Sequence, residues 1–335
     1  GVRRKPVASR DWVGELTQGA CFCQPNTTHG REAMTDTTDV TLRRTQLATP
    51  ASDTKMMHSA AGSDADEVFL DLEDSVAPNA KADARDPLVA ALTEEDWSDK
   101  VVSFRMNGLD TRWWYEDLIH VVSEAGEYLD DIIVPKVKRA SDIHTVETLL
   151  EQVEVNAGLE VGGIGLEPQI EDGMGMHNVY EIAHASPRLD SVIFGPGDYS
   201  AAMGTPGLDI GQFPDYPGHY WHFALSYINA AAKSAGLPCI DGPYADIEDE
   251  AGFRESASNA NMIGCDGKWA IHPSQIEIAN EVFAPDPAVA ERAERIVTAY
   301  EEAMAEGKGA VKVDGQMVDE ATNKMAQEIV ATARA

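Results

Sequence analysis

Short runs of apolar or β-branched residues recur along most of the chain, each followed by turn-forming residues and then by a stretch with helical periodicity. The apolar runs fall at 46–49, 67–72, 101–106, 131–137, 163–170, 191–195, 237–240 and 268–272. Helix-period segments lie between them, at 81–92, 114–124, 140–152, 176–185, 219–235 and 248–263. Strands that alternate with helices predict βα units on a parallel sheet. Eight such strands fit a closed (β/α)8 TIM barrel better than an open doubly wound sheet, because Pro50, Ala51, Ser52 and Asp53 follow the first strand in place of a Gly-x-Gly-x-x-Gly turn. Past the eighth strand, 287–307 is strongly helix-periodic, the short stretch 309–315 follows, and a last helix is predicted near 320–333. The fold class is therefore α/β: a leader over 1–40, disordered or foreign to the fold, a TIM barrel over 41–282, and a small helical C-terminal extension over 283–335.

Active sites of such barrels lie at the carboxyl-terminal ends of the strands, which makes polar residues that close apolar strands the candidates for chemistry. Asp71, Glu73 and Asp74 close the second strand, Arg105 and Asn107 the third, Lys136 the fourth, Glu167 and Glu171 the fifth, Asp198 the sixth, Asp241 the seventh and His272 the eighth. So many carboxylates around one mouth repel one another unless a cation or protons intervene. An all-oxygen donor set suits a hard divalent ion, Mg2+ with Mn2+ as a substitute. Glu171 and Asp198, at the tips of adjacent strands, are the expected direct ligands, with Glu73 and Asp74 holding metal-bound waters behind them. The bland alternative for Asp71, Glu73 and Asp74 is helix capping or ion pairing with Lys81 and Arg85. Arg105 interrupts an apolar strand and needs a permanent anionic partner: a substrate carboxylate or enolate if it is functional, Asp71 or Glu73 if it is structural. His272, alone before a proline, reads as a hydrogen-bonded structural residue more readily than as a base. The Trp113, Trp114 and Tyr115 cluster reads as packing.

Charge narrows the class further. Fifty-seven acidic side chains against 26 basic ones leave a formal net charge of -31, spread along the chain. That balance argues against nucleic acid as a partner, and it points to a salt-rich cytoplasm in which ions screen the self-repulsion. No apolar run approaches the roughly 18 residues of a membrane span. Four cysteines are too few for a disulfide scaffold, Cys21 and Cys23 lack a second pair at zinc-ligand spacing, and Cys239 and Cys265 read as buried small hydrophobes. Residues 1–33 carry no continuous apolar segment of the secretory kind, and Met34 reads as a natural start.

Five segments carry a family likeness: Glu-Val-Phe-Leu-Asp-Leu-Glu-Asp-Ser-Val-Ala-Pro at 67–78, Arg-Met-Asn-Gly-Leu-Asp-Thr at 105–111, Ile-Val-Pro-Lys-Val at 133–137, Ile-Asp-Gly-Pro at 240–243 and Gly-Lys-Trp-Ala-Ile-His-Pro at 267–273. Together they resemble the citrate lyase beta-subunit (HpcH/HpaI aldolase) superfamily, and within it the malyl-CoA and β-methylmalyl-CoA lyases of haloarchaeal type. The likeness runs from about Arg44 to the end of the chain. It implies a (β/α)8 barrel with a C-terminal extension, magnesium on Glu171 and Asp198, and Arg105 at the reacting oxygens. It also implies that Asp319 reaches the active site of a neighbouring subunit as acid/base, in a homotrimer or homohexamer. The implied partners are a small-molecule acyl-CoA, with coenzyme A as part of the substrate, and glyoxylate. Substrate or CoA contacts are expected at Arg44, Lys55, Gly197, Ile240 and Asp241.

The thioester end departs from the family pattern. A Pro-Gly-Ser-Arg-Pro-like turn is replaced by Pro50, Ala51, Ser52, Asp53 and Thr54, and Ser59 stands where a lysine is usual, so Lys55, Arg43 or Arg44 is expected to substitute. The fifth strand carries Pro168 and Asp172 where relatives have an apolar and a small residue. The implied activity is reversible cleavage of malyl-CoA or β-methylmalyl-CoA. A malyl-CoA thioesterase, a malate synthase, a citramalyl-CoA or citryl lyase and a non-catalytic CoA-binding protein are the alternatives. The insertion at 204–219 and the tail resemble the stand-alone lyases.

Overall fold

The computed structural model describes residues 41–205 and 221–335; the expected leader and most of the 204–219 insertion lie outside the described residues. All eight predicted strands form. They are β1 (Thr45–Pro50), β2 (Glu67–Asp71), β3 (Val101–Arg105), β4 (Asp131–Val134), β5 (Gly165–Ile170), β6 (Val192–Phe194), β7 (Cys239–Asp241) and β8 (Gly267–Ala270). Every neighbouring pair is parallel, and β8 closes on β1 with Thr45 opposite Lys268, giving a closed barrel in chain order.

Helices follow the strands around the outside: α1 (Thr54–Ala61), α2 (Arg85–Glu94), α3 (Trp114–Ala125), α4 (Ala140–Ala157), α5 (Gly173–His177), α6 (Val179–Ala183), α7 (Pro196–Met203), α8 (His222–Ser234), α9 (Glu250–Ile263) and α10 (Ser274–Phe283). Outward strand residues such as Val68, Leu70, Phe104, Ile132, Leu166 and Phe194 meet the apolar faces of this ring in one continuous core.

The pattern left α1, α7 and α10 unpredicted and drew 176–185 as one helix. All but α10 have an identifiable local cause. Asp53 ends the turn after β1 by accepting from the amides of Lys55 and Met56, so what reads as a loop is the capped start of α1. Pro196 occupies the first turn of α7, where a missing amide costs nothing. Asp172 caps the five-residue α5, and Asn178, at the break before α6, sends its side chain to the Lys138 carbonyl. The helix expected from residue 81 starts at Arg85, because Lys81 is engaged with the carbonyls of Leu72 and Glu73.

Inward-facing strand residues form three layers. At the amino-terminal end, Arg43 joins Glu67, Asp131 and Glu167 in a buried ionic cluster, with Gln46, Ser103 and Ser191 donating to its carboxylates. Phe69, Ile133, Ile193, Ile240 and Trp269 fill the middle. Asp71, Arg105 and Glu171 form the upper layer. The layering follows from the two-residue side-chain period of a strand: 67, 69 and 71 climb one face of β2, and 167, 169 and 171 climb one face of β5 and its exit.

Beyond the barrel, α11 (Pro287–Ala305), a hairpin of β9 (Val311–Val313) and β10 (Gln316–Val318), and α12 (Glu320–Arg334) enclose a small core of their own, Ala293, Ile296, Tyr300, Val318 and Ala326.

Candidate active site

Arg105 anchors the mouth. Its Nε and Nη2 each donate to Asp71 at 2.7 Å, a two-pronged pair in which both partners are buried. The guanidinium rests on the middle layer, 5.2 Å from the Trp269 ring centroid and 5.8 Å from that of Phe69. Asp71 in turn accepts from the amides of Glu73 and Ser75, which wraps the β2 exit loop around its carboxylate. Burial alone would raise the Asp71 carboxyl, but Arg105 and these hydrogen bonds bring it down to about 2. The third nitrogen, Nη1, points to Glu73 Oε2 at 3.2 Å and to Gln169 Oε1 at 3.5 Å, with Asp74 at 4.0 Å. Arg105 thus has a structural partner in Asp71, and its Nη1 edge faces the mouth.

Glu171 lies across from that edge. One oxygen accepts from the Lys136 amide at 2.6 Å and the other from Gln169 Nε2 at 3.1 Å. Burial first, then the charges of Glu73 and Asp198, push its carboxyl up to about 8 against the opposing pull of Arg105. Asp198 stands in the first turn of α7, and its Oδ2 is 3.2 Å from Lys136 Nζ. The same ammonium is 2.5 Å from Glu73 Oε1 and 3.6 Å from Asp74 Oδ1. Burial works against that ammonium, but the Glu73 hydrogen bond and the surrounding carboxylates hold it above the usual lysine range. Gly195 makes room for the arrangement: a Cβ there would fall 2.7 Å from Glu171 Oε2 and 2.8 Å from Gln169 Nε2. Glu73, Asp74, Glu171, Asp198 and Arg105 therefore converge.

These residues fit a hard cation. Glu73 Oε2 is buried with no hydrogen bond and only the 3.2 Å ion pair to Arg105, and Glu171 is crowded by like charges that a dication relieves. Among the described residues no group of three or more His, Cys, Asp or Glu is arranged to hold a metal unaided. Magnesium binds in the same spirit, taking one or two carboxylates and completing its shell with water and substrate oxygens.

Other expected contacts fall elsewhere. Arg44 precedes β1 and donates to Asp66 ahead of β2, at the amino-terminal end of the barrel, so it cannot serve a ligand at the mouth. Arg43 and Glu167 belong to the buried cluster at that same end. Lys55, exposed in the first turn of α1, is the one of the three candidate replacement cations on the mouth side. The Ile240 side chain is sealed in the middle layer, so it offers a ligand no side-chain contact. Asp241 is also withdrawn: one oxygen accepts from Gly242 and the other from the buried Lys268 ammonium, which fixes the β7 exit loop. Gly197, half-buried beside Asp198, stays at the rim.

The triplet's alternative partners turn out differently from the expectation. Lys81 holds loop carbonyls, and Arg85 pairs with Asp117 and Glu116. Asn107 is tied to Asp117. His272 bonds Ser274 at the start of α10, the structural role expected of it. Asp319 is exposed at the N-terminus of α12, where it accepts from the Thr322 amide and hydroxyl. Sequence reasoning placed Lys136 among the polar strand ends without giving it a specific role, and passed over Gln169 and Gly195. The signal for Gln169 was its period-two spacing from Glu171; the bond lengths around Lys136 have no sequence signature.

A closed parallel barrel whose carboxyl-terminal mouth gathers carboxylates around one fixed guanidinium places the chain among the TIM-barrel enzymes. Residues 44–273 match the HpcH/HpaI aldolase/citrate lyase family, and the chain belongs to it. It is 43% identical over 298 residues to the L-malyl-CoA/beta-methylmalyl-CoA lyase of Cereibacter sphaeroides, covering 86% of this chain and 93% of the relative. It is 34% identical to the malyl-CoA/beta-methylmalyl-CoA/citramalyl-CoA lyase of Chloroflexus aurantiacus, over 78% of this chain and 79% of that one. Among solved structures, CitE from Mycobacterium tuberculosis in complex with magnesium, acetoacetate and coenzyme A superposes with a TM-score of 0.68 at 26% identity, covering 87% of this chain and 98% of that one.

Proposed function

We propose that this chain is a carbon–carbon lyase that cleaves malyl-CoA or β-methylmalyl-CoA to glyoxylate and acetyl-CoA or propionyl-CoA, and runs the condensation in reverse. The carrying observation is the convergence of Glu171, Asp198 and Arg105 on one mouth, joined to 43% identity across 93% of a relative with that activity. Glu171 and Asp198 are the residues that would hold magnesium, with Glu73 and Asp74 behind them. When bound, the ion supplies a fixed double charge that polarises substrate oxygens and acidifies a hydroxyl.

The chain's own groups then divide the remaining work. Arg105, held by Asp71 and seated on Trp269, keeps Nη1 aimed at the mouth, where a preset guanidinium stabilises the enolate oxygen of the departing thioester. Gln169 and the Lys136 amide orient the Glu171 carboxylate. Asp319 is assigned as the acid/base that moves the proton to and from the enolate carbon in a neighbouring subunit. Within its own chain the Thr322 amide first, then its hydroxyl, lower its pKa, so the role requires the surroundings of the neighbouring site to raise it again. Lys55 is the mouth-side cation for the CoA phosphates.

The test is incubation of the protein with magnesium, glyoxylate and either acetyl-CoA or propionyl-CoA, with mass identification of the thioester formed. A hydroxyacyl-CoA product is expected. Accumulation of free CoA instead would replace the lyase by a thioesterase or malate synthase. Glu171→Ala should stay folded and lose at least about a hundredfold in turnover; undiminished activity would remove Glu171 from the metal site.

A further inference from the structure

The fourth strand ends in a residue with an unusual backbone. Lys136 has φ of 55°, in the left-handed region, and among the described residues only Asp314, in the β9–β10 turn, shares such a value without being glycine. A strained conformation of this kind persists where its surroundings require it. Here it lets one residue face two ways: its amide points at Glu171 while its ammonium reaches Glu73, Asp74 and Asp198. Those carboxylates come from the exits of β2, β5 and β6, so a single side chain joins one wall of the mouth to the other.

The charges around it are unbalanced. Asp71, Glu73, Asp74, Glu171 and Asp198 are five carboxyl groups, and among the described residues the cations in ion-pair contact with four of them, all but Glu171, are Arg105 and Lys136. Arg105 is largely spent on Asp71. Lys136 is therefore the group that decides how negative the mouth remains. A mouth that is too negative grips a divalent cation well but repels an anionic substrate; a mouth with more positive charge does the reverse.

We propose that Lys136 is the charge-setting residue of the site, holding the carboxylate ring at a potential that trades some metal affinity for binding of the anionic oxo-acid. The substrate half of this inference rests on the lyase reading above; the metal half stands without it.

The experiment compares wild type with Lys136→Met, Lys136→Gly and Lys136→Arg in two measurements: calorimetric binding of Mn2+ alone, and the KM for glyoxylate in the condensation direction at saturating metal and acyl-CoA. Loss of one neighbouring charge should tighten Mn2+ by about tenfold in the Met and Gly variants and raise their KM for glyoxylate by about tenfold. The Arg variant, which keeps the charge, should stay near wild type on both. General damage to the site would instead weaken both ligands together. Glycine takes a φ of 55° without strain, so Lys136→Gly removes the ammonium while sparing the backbone that holds Glu171, and carries the measurement if the Met variant folds poorly. Neutral variants that bind Mn2+ no tighter than wild type, or that keep the wild-type KM, would overturn the proposal. If wild type itself consumes no glyoxylate, the lyase reading fails, and the order of Mn2+ affinities still decides the role of Lys136.

Discussion

The Asp71–Arg105 pair shows how one contact can serve both fold and site. The pair is buried, yet both charges persist because each satisfies the other through two parallel hydrogen bonds. Asp71 titrates at about 2 in the folded chain against an ordinary 3.8, so it contributes stability above that ordinary value and loses it as pH falls toward 2. The contribution is about 2 kcal/mol. Asp71→Asn should cost about 3–5 kcal/mol at neutral pH, because it strands a buried guanidinium, and should flatten the acid limb of a urea-unfolding series between about pH 4 and pH 2. An unchanged acid limb would mean that Asp71 is not the group that titrates. At this scale the sequence told which residues end strands but not how high they sit. Glu167 and Glu171 share a face by the two-residue period, and only the layering of the barrel sends one to the ionic cluster and the other to the mouth. Arg44 misled in the same way: it is a near neighbour of Lys55 in sequence, but β1 between them spans about 20 Å at ~3.3 Å per residue, most of the height of the barrel.

Elements with a strong period were legible. The eight strands and the long helices α3, α4 and α11 could be read from apolar spacing, because many residues contribute to each signal. The eight-residue α1 and α7 gave too few turns for a period to emerge, and both depend instead on single start signals, Asp53 and Pro196. The departure from the family turn at 50–54 has a structural meaning in this light: Asp53 replaces a cation but caps a helix. Asp53→Ala should destabilise the chain by about 1 kcal/mol, whereas Asp53→Asn, an equally good cap, should leave the thermal midpoint nearly unchanged. Equal midpoints for the two variants would show that the cap contributes nothing.

For the whole molecule, two features bear on how it works. The net charge of -31 belongs to the whole chain, spread along its sequence, so its cost is long-range repulsion that ions screen. Raising monovalent salt from about 0.1 M to about 1 M shortens the Debye length from about 10 Å to about 3 Å. The thermal midpoint should therefore climb across that range; a flat or falling midpoint would contradict the salt-rich setting read from composition. The second feature is the extension, whose small core is separate from that of the barrel and whose Asp319 bonds only within its own helix start among the described contacts. If Asp319 completes a neighbour's site, then a refolded mixture of Asp319→Ala and Glu171→Ala subunits should recover activity that neither has alone, since some neighbours then pair an intact barrel with an intact extension. Failure to recover any would confine Asp319 to capping α12.

The apolar middle layer has a kinetic consequence. Phe69, Ile133, Ile193, Ile240 and Trp269 plug the barrel beneath the upper polar layer, so among the described residues a ligand at the mouth meets a closed floor and no channel through the barrel. If the proposed cleavage takes place above that floor, both products must leave on the side from which the substrate came.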